Sequence, residues 1–122
     1  MDARINANLK IPSGGRERQP LTPGEAALML AALGNPIRMR AFRHLVEADG
    51  PGLKVGTLQN YLKLPASTLN HHLTALSRCG LIRQRRIGRE VQNEPSLENL
   101  QRLERFLEEM GTLSFLPGDF RA

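Results

Sequence analysis

Apolar side chains in this chain recur mainly at three- and four-residue intervals, the spacing of amphipathic helices, and they predict five helices. The first begins with a capping-box pattern, in which Thr22 is the N-cap, Pro23 the first helical residue and Glu25 the third. The second begins in the same manner, with Asn35 as N-cap and Pro36 directly after it. Both helix starts are therefore marked by side chains that can satisfy the first free N–H groups.

The rest of the chain predicts three more helices and one hairpin. A short third helix follows a Gly- and Pro-rich break at residues 49–52, and the fourth covers residues 66–79. Residues 82–92 then form a strand, a tight turn at Gly88 and a return strand, which is the pattern of a β-hairpin. The last helix follows the hairpin, and Gly111 is its expected C-cap.

Two of these helices are more apolar than the core of one small subunit requires. Residues 26–33 are apolar on every side, whereas an exposed helix has a polar face. The last helix carries a broad apolar stripe. We therefore expect both helices to contact their own core on one side and a second subunit on the other. The expected interface residues are Leu28, Leu30, Leu100, Leu103 and Leu107.

The fourth helix is apolar on one side and polar on the other. Its apolar stripe is formed by Leu69, Leu73 and Leu76. The opposite face has no carboxylate, and its side chains project within about 100° of one another; they are Ser67, Asn70, His71, Thr74 and Arg78. Four arginines lie in the hairpin that follows. A polar face without acidic groups beside a basic hairpin indicates a surface for a polyanion such as DNA.

Composition and charge agree with this interpretation. The 122 residues include 17 Lys and Arg against 12 Asp and Glu, a net charge of +5, and residues 65–92 carry five basic residues and one acidic one. No apolar run is long enough for a membrane span, and residues 1–20 lack the apolar stretch of a signal peptide, so a cytoplasmic protein is expected. The sequence has no Gly-rich phosphate loop, nucleophile elbow or paired carboxylates, so we expect no enzymatic activity.

Three segments resemble, in order, the motifs of one known family. They are ALGNPIRMRAFRHL at 32–45, LPASTLNHHLTALSRCGLI at 64–82 and RRIGRE at 85–90. Over roughly residues 26–110 the chain is similar to the ArsR/SmtB family of small bacterial repressors. The resemblance implies a winged helix-turn-helix fold and a homodimer whose interface is formed by the first and last helices.

The sequence departs from the metal-sensing members of that family. Their third helix begins with a Cys-Val-Cys type of triplet, where this chain has Lys54-Val55-Gly56, and the last helix lacks the His and Asp of their other site. We therefore expect no metal and no other cofactor, and the resemblance does not supply an inducer. The single cysteine, Cys79, continues the apolar stripe of the fourth helix, so a buried, unreactive thiol is expected rather than a sensor.

We assign the DNA contacts to the fourth helix and the hairpin. Asn70 can pair with adenine in the major groove, whereas Thr68 suits a phosphate and His72 suits either packing or a phosphate. The predicted DNA-binding residues are Ser67, Thr68, Asn70, His71, His72, Arg83, Arg85, Arg86 and Arg89. The alternatives are a merely solvated helix face and hairpin arginines that only protect a sheet edge.

These inferences give one expected organisation. Residues 1–20 form a flexible arm, residues 21–111 a DNA-binding and dimerising domain, and residues 112–122 an apolar tail. The fold is mainly α (α+β), a winged helix-turn-helix with about five helices and a two-stranded β-hairpin. The expected function is a sequence-specific regulator, a homodimeric repressor with helix 66–79 in the major groove of double-stranded DNA and wing 82–92 on the backbone. The alternative is a winged-helix protein-assembly module without operator binding, which would expose an apolar patch on the same face.

Overall fold

The computed structural model of the protein describes residues 19–48 and 51–113. Within these ranges it contains five helices and three strands, in the order α1 (Pro23–Leu33), α2 (Pro36–Glu47), β1 (Leu53–Lys54), α3 (Val55–Leu62), α4 (Ala66–Arg78), β2 (Ile82–Ile87), β3 (Glu90–Pro95) and α5 (Leu97–Leu113). The predicted α+β class, helix order and hairpin are confirmed. Most of the expected arm and tail, residues 1–18 and 114–122, lies outside the described ranges. None of the described helices has the length and apolar character needed to cross a bilayer.

The first two helices start where their capping residues predict. Thr22 Oγ1 accepts a hydrogen bond from the backbone N–H of Glu25 at 3.1 Å, and the N–H of Thr22 donates to the Glu25 carboxylate at 2.9 Å. Asn35 Oδ1 accepts from the N–H groups of Ile37 and Arg38 at 2.8 and 3.2 Å. Free N–H groups at the N-termini of α1 and α2 are thus satisfied by neighbouring residues, without contacts from the tertiary structure.

One leucine-rich core holds the helices together. Its centre is formed by residues of α2, α3 and α4 with no exposed surface, namely Leu45, Leu58, Leu69, Leu73 and Leu76. Complete burial of a leucine side chain contributes about 2 kcal/mol relative to exposure. The helix α1 covers this core with Ala26, Met29, Ala32 and Leu33, and α5 contributes Leu103.

The sheet has three strands instead of the two that the sequence predicts. Its order is β1-β3-β2, and both pairings are antiparallel. The additional strand β1 has only two residues, with Leu53 opposite Asn93 and Lys54 opposite Gln92. The Asn93 side chain connects all three strands, because its Nδ2 donates to the Leu53 carbonyl at 3.1 Å and its Oδ1 accepts from Gln84 at 2.9 Å. A two-residue strand has no periodicity of its own, so the pattern of the chain could not predict it.

Two helix ends also differ from the predictions. Helix α4 ends at Arg78, with Cys79 as its C-cap. The expected C-cap at Gly111 is wrong, because α5 continues through this residue to Leu113. At its other end α5 follows Ser96, whose hydroxyl accepts a hydrogen bond from the N–H of Asn99 at 3.3 Å.

Gly52 provides a test of how closely β1 approaches β3. It has a φ of +101°, and a Cβ there would collide with the Asn93 carbonyl and lie 2.8 Å from Cγ of Glu94. We expect Gly52→Ala to lower the free energy of unfolding by about 2–4 kcal/mol, through backbone strain and overpacking. The matched control is Gly56→Ala, where a Cβ would meet nothing within 4 Å. Denaturant unfolding of both variants is the measurement, and equal stability of the two would contradict the close approach.

Candidate nucleic-acid interface

Helix α4 presents a polar face to solvent. Its three central leucines, Leu69, Leu73 and Leu76, are completely buried. The side chains on the other side are all exposed and none is acidic; they are Ser67, Thr68, Asn70, His71, Thr74 and Arg78. The structure thus brings together the predicted residues of α4, with the exception of His72.

His72 lies inside the molecule. It is 8% exposed, and its Nδ1 accepts a hydrogen bond from Nε of Arg38 in α2 at 3.1 Å. Because arginine only donates, Nδ1 must be unprotonated and the ring proton must be on Nε2. Burial, together with the neighbouring charges of Arg38 and His71, lowers the pKa of His72 from its ordinary 6.5. His72 therefore connects α4 to α2 as a neutral side chain and does not join the exposed face.

The four predicted arginines of the hairpin fall into two pairs. Arg83 lies 3.5 Å from the Glu98 carboxylate, and Arg85 lies 3.6 Å from that of the buried Glu94. Arg86, by contrast, is exposed near the end of β2, and Arg89 is exposed in the turn beside Gly88. The outer two arginines are accessible to a polyanion, whereas the inner two contact carboxylates of the wing and of α5.

One further cation lies beside this face and was missed by the sequence analysis. Lys63 is the residue between α3 and α4, where it adopts a left-handed conformation with φ 58° and is exposed. It lies three residues before the first residue of α4. The available sequence signal was a lysine in the turn of the helix-turn-helix.

The five residues expected at a subunit interface occupy three kinds of position. Leu28, Leu30 and Leu107 are 65%, 41% and 42% exposed, so they form part of the protein surface. Leu100 is half-buried against the core, and Leu103 is a core residue with 3% exposure. Two further apolar residues of α5, Met110 and Leu113, are also exposed.

Cys79 is a half-buried thiol at the end of α4. Its Sγ donates to the Leu76 carbonyl at 3.4 Å. Burial raises the pKa of the Cys79 thiol, while weaker contributions from backbone hydrogen bonds and Arg38 act in the opposite direction. The described residues contain no group of three or more His, Cys, Asp or Glu side chains arranged to hold a metal ion.

Comparisons with known proteins agree with this geometry. A family model described as a helix-turn-helix domain matches residues 33–85. The chain is similar in structure to an ArsR-like transcriptional regulator from Rhodococcus sp. RHA1, with 29% identity, a TM-score of 0.64, and coverage of 73% of this chain and 81% of that one. For NolR from Sinorhizobium fredii the identity is 30%, the TM-score 0.57 and the coverage 75% and 95%. For HlyU from Vibrio cholerae N16961 the identity is 28%, the TM-score is 0.59, and the coverage is 71% of this chain and 91% of that one. A comparison with curated proteins finds no match.

The Arg38–His72 contact predicts a pH dependence of stability. The lowered pKa of His72 means that the unfolded chain takes up a proton at a higher pH than the folded protein does. The contribution of His72 is therefore fully present above pH 6.5 and is lost as the pH falls through the folded-state pKa. Asn keeps a hydrogen-bond acceptor but does not titrate. We therefore expect the unfolding free energy of His72→Asn to fall less than that of wild type between about pH 7 and 5, as measured by denaturant unfolding at several pH values. His71→Asn, a change of the exposed neighbour, should keep most of the wild-type decline, because burial and Arg38 are the larger causes of the lowered pKa of His72. Equal curves for wild type and His72→Asn would contradict this role.

Proposed function

Because this chain belongs to the ArsR/SmtB family of winged helix-turn-helix, DNA-binding transcriptional regulators, we propose that it is a homodimeric repressor that reads double-stranded DNA through α4. The observation that carries the proposal is the exposed face of α4, which has six polar side chains and no carboxylate. The face lies opposite three fully buried leucines, so the core holds it in a fixed direction. A helix of this kind can enter the major groove with its N-terminal residues at the base edges.

The residues have distinct roles in this proposal. Asn70 pairs with a base edge, with Ser67 and His71 beside it, and Thr68 contacts a phosphate. Arg86 and Arg89 contact phosphates from the wing. Arg83 and Arg85 hold the wing in place through their carboxylate partners, and His72 holds α4 against α2.

The exposed apolar residues of α1 and α5 support the homodimer. Leu28 and Leu30 lie on α1, and Leu107, Met110 and Leu113 lie on α5, all of them more than 40% exposed. Leaving this many large apolar groups in water is unfavourable, and burial against a second copy removes the cost. The two copies of α4 in the dimer would then bind two DNA half-sites that lie about one helical turn apart.

The competing function, a protein-assembly module, needs an apolar docking patch on the same surface. No large apolar residue of α4 is exposed. In the described wing, one large apolar residue is exposed, Ile87. These surfaces favour DNA as the partner. A repressor that binds DNA acts where the bacterial chromosome lies, so the cytoplasm is part of the proposal.

Asn70→Ala tests base recognition by α4. Loss of a bidentate contact should cost roughly 1–3 kcal/mol on a specific duplex obtained by selection from random sequences. Binding to a scrambled duplex should change much less, since that duplex offers no matching base. The measurement is the affinity of wild type and variant for both duplexes at one fixed salt concentration. Equal losses on the two duplexes would contradict base reading by Asn70.

Arg86→Ala and Arg89→Ala test the wing. Each removes one phosphate contact per subunit, so affinity should fall similarly on specific and scrambled duplexes. The slope of log affinity against log salt should become shallower by about two units per dimer. Arg43→Ala is the matched control, because Arg43 is an exposed arginine of α2 paired with Glu47 at 3.0 Å. An unchanged salt slope in both wing variants would overturn the assignment.

Leu107→Glu tests the dimer face. The residue is 42% exposed, so the subunit should still fold while the dimer dissociates, which sedimentation velocity measures directly. Met39→Glu is the matched control, since Met39 is 47% exposed on α2, outside the proposed face. A Leu107→Glu variant that sediments as a dimer would rule out this interface.

A further inference from the structure

An open cavity of about 290 Å³ lies between α1, the end of α4 and the beginning of α5. Its volume is close to the lower end of the range for small-molecule sites in proteins. The cavity is separate from the exposed face of α4, apart from Arg78, which lines one edge of it.

The most buried charged group in the cavity wall is Arg102 of α5. The residue is 7% exposed, and its Nε donates to the Gln19 carbonyl at 2.7 Å and its Nη1 to Asn99 Oδ1 at 2.9 Å. Both acceptors are neutral, and none of the ion pairs between described residues includes Arg102. A buried cation without a counter-ion is costly, and an anion in the adjoining cavity would remove this cost.

The other walls restrict which anion fits. Arg78 adds a second positive charge, while Leu21, Leu28 and Met29 form an apolar side. Glu25 is the one carboxylate in the lining, and its Oε1 accepts the Thr22 N–H at 2.9 Å. With two arginines and one glutamate the lining carries one net positive charge, which suits a single negative charge better than a dianion.

We propose that this cavity binds a small organic monocarboxylate, with its carboxylate group at Arg102 and Arg78 and its apolar body against Leu21 and Met29. The Cys79 thiol in the same wall is neutral, because its pKa is raised by burial, so it does not repel the ligand.

The cavity is connected to the DNA-reading helix through Asn99. While Asn99 Oδ1 accepts from Arg102, its Nδ2 donates to the carbonyl of Gly80 at 2.8 Å, just beyond the end of α4. The two groups pack closely, since a Cβ on Gly80 would lie 2.9 Å from Asn99 Nδ2. A carboxylate that binds Arg102 competes with Asn99 for the guanidinium and so alters DNA affinity, a consequence that rests on the proposed function.

Hexanoate and benzoate are the probes, titrated at millimolar concentrations into the isotope-labelled full chain and followed by amide NMR shifts. Hexan-1-ol and benzyl alcohol supply the apolar body without the charge, and inorganic phosphate the charge without the body. We expect both carboxylates to shift the amides around Gly80 and Asn99, and the comparators to bind at least several-fold more weakly. Absence of these shifts would overturn the proposal, and so would binding of an alcohol or of phosphate as tight as that of the carboxylates.

Two variants test the arginines. Arg102→Gln and Arg78→Gln should each weaken carboxylate binding roughly tenfold, as expected for a lost charged hydrogen bond. Arg105→Gln, an exposed arginine of α5 outside the cavity lining, should bind as wild type. Arg78 is exposed, so its variant keeps the test decisive if Arg102→Gln fails to fold. Wild-type affinity in Arg78→Gln would overturn the site.

A separate titration of DNA with and without benzoate tests the coupling. An affinity change that disappears in Asn99→Ala, a change outside the exposed face of α4, supports it, and an unchanged affinity in a protein that binds benzoate overturns the coupling. If the protein binds no DNA at all, the proposed function fails while the NMR result on the carboxylate site stands.

Discussion

The burial of three leucines along one side of α4 determines what this protein shows to solvent. Each of Leu69, Leu73 and Leu76 is fully buried, and each contributes about 2 kcal/mol by leaving water. Rotating the helix by one residue, about 100°, would expose this stripe and push Asn70 or Thr68, depending on the direction, into an apolar core without partners. The interactions that stabilise the core are therefore the ones that direct the polar face outward, and the candidate DNA surface follows from packing.

Two polar contacts refine the position of α4 relative to its neighbours. Arg38 contacts the middle of the helix at His72, and Asn99 donates a hydrogen bond to Gly80, the residue after the C-cap of the helix. Hydrogen bonds are directional, so they specify an orientation that apolar contacts alone leave loose. One of these contacts comes from α5, whose outer surface carries the apolar residues proposed for the dimer. A rearrangement of α5 would therefore be transmitted to the end of α4 by the side chain of Asn99.

The wing shows how one residue type serves two purposes. Arg83 and Arg85 lie against the carboxylates of Glu98 and Glu94, where their charge is largely compensated. Arg86 and Arg89 lie farther along the hairpin and are exposed. A partner that approaches the wing therefore meets a positive tip supported by an ion-paired base. The link between Arg83 and Glu98 also ties the wing to the first turn of α5, which limits the movement of the hairpin relative to the domain.

Signals that act within a few residues were enough to predict all five helices, the hairpin and the polar face of α4. A cap such as Thr22 or Asn35 satisfies N–H groups two or three positions away, and the leucine period of α4 follows from its own pitch. Two features depend on partners far along the chain. Strand β1, which was not predicted, needs β3, about 40 residues later, and the choice between packing and a phosphate contact for His72 depends on Arg38, 34 residues earlier. Likewise, Leu103 and Leu107 belong to one apolar stripe, and packing against the other helices is what buries the first and leaves the second exposed. Local interactions determine where helices and strands form. Which of their side chains are buried in the core, which make supporting contacts between elements and which remain on the surface depends on residues that only the folded chain brings together.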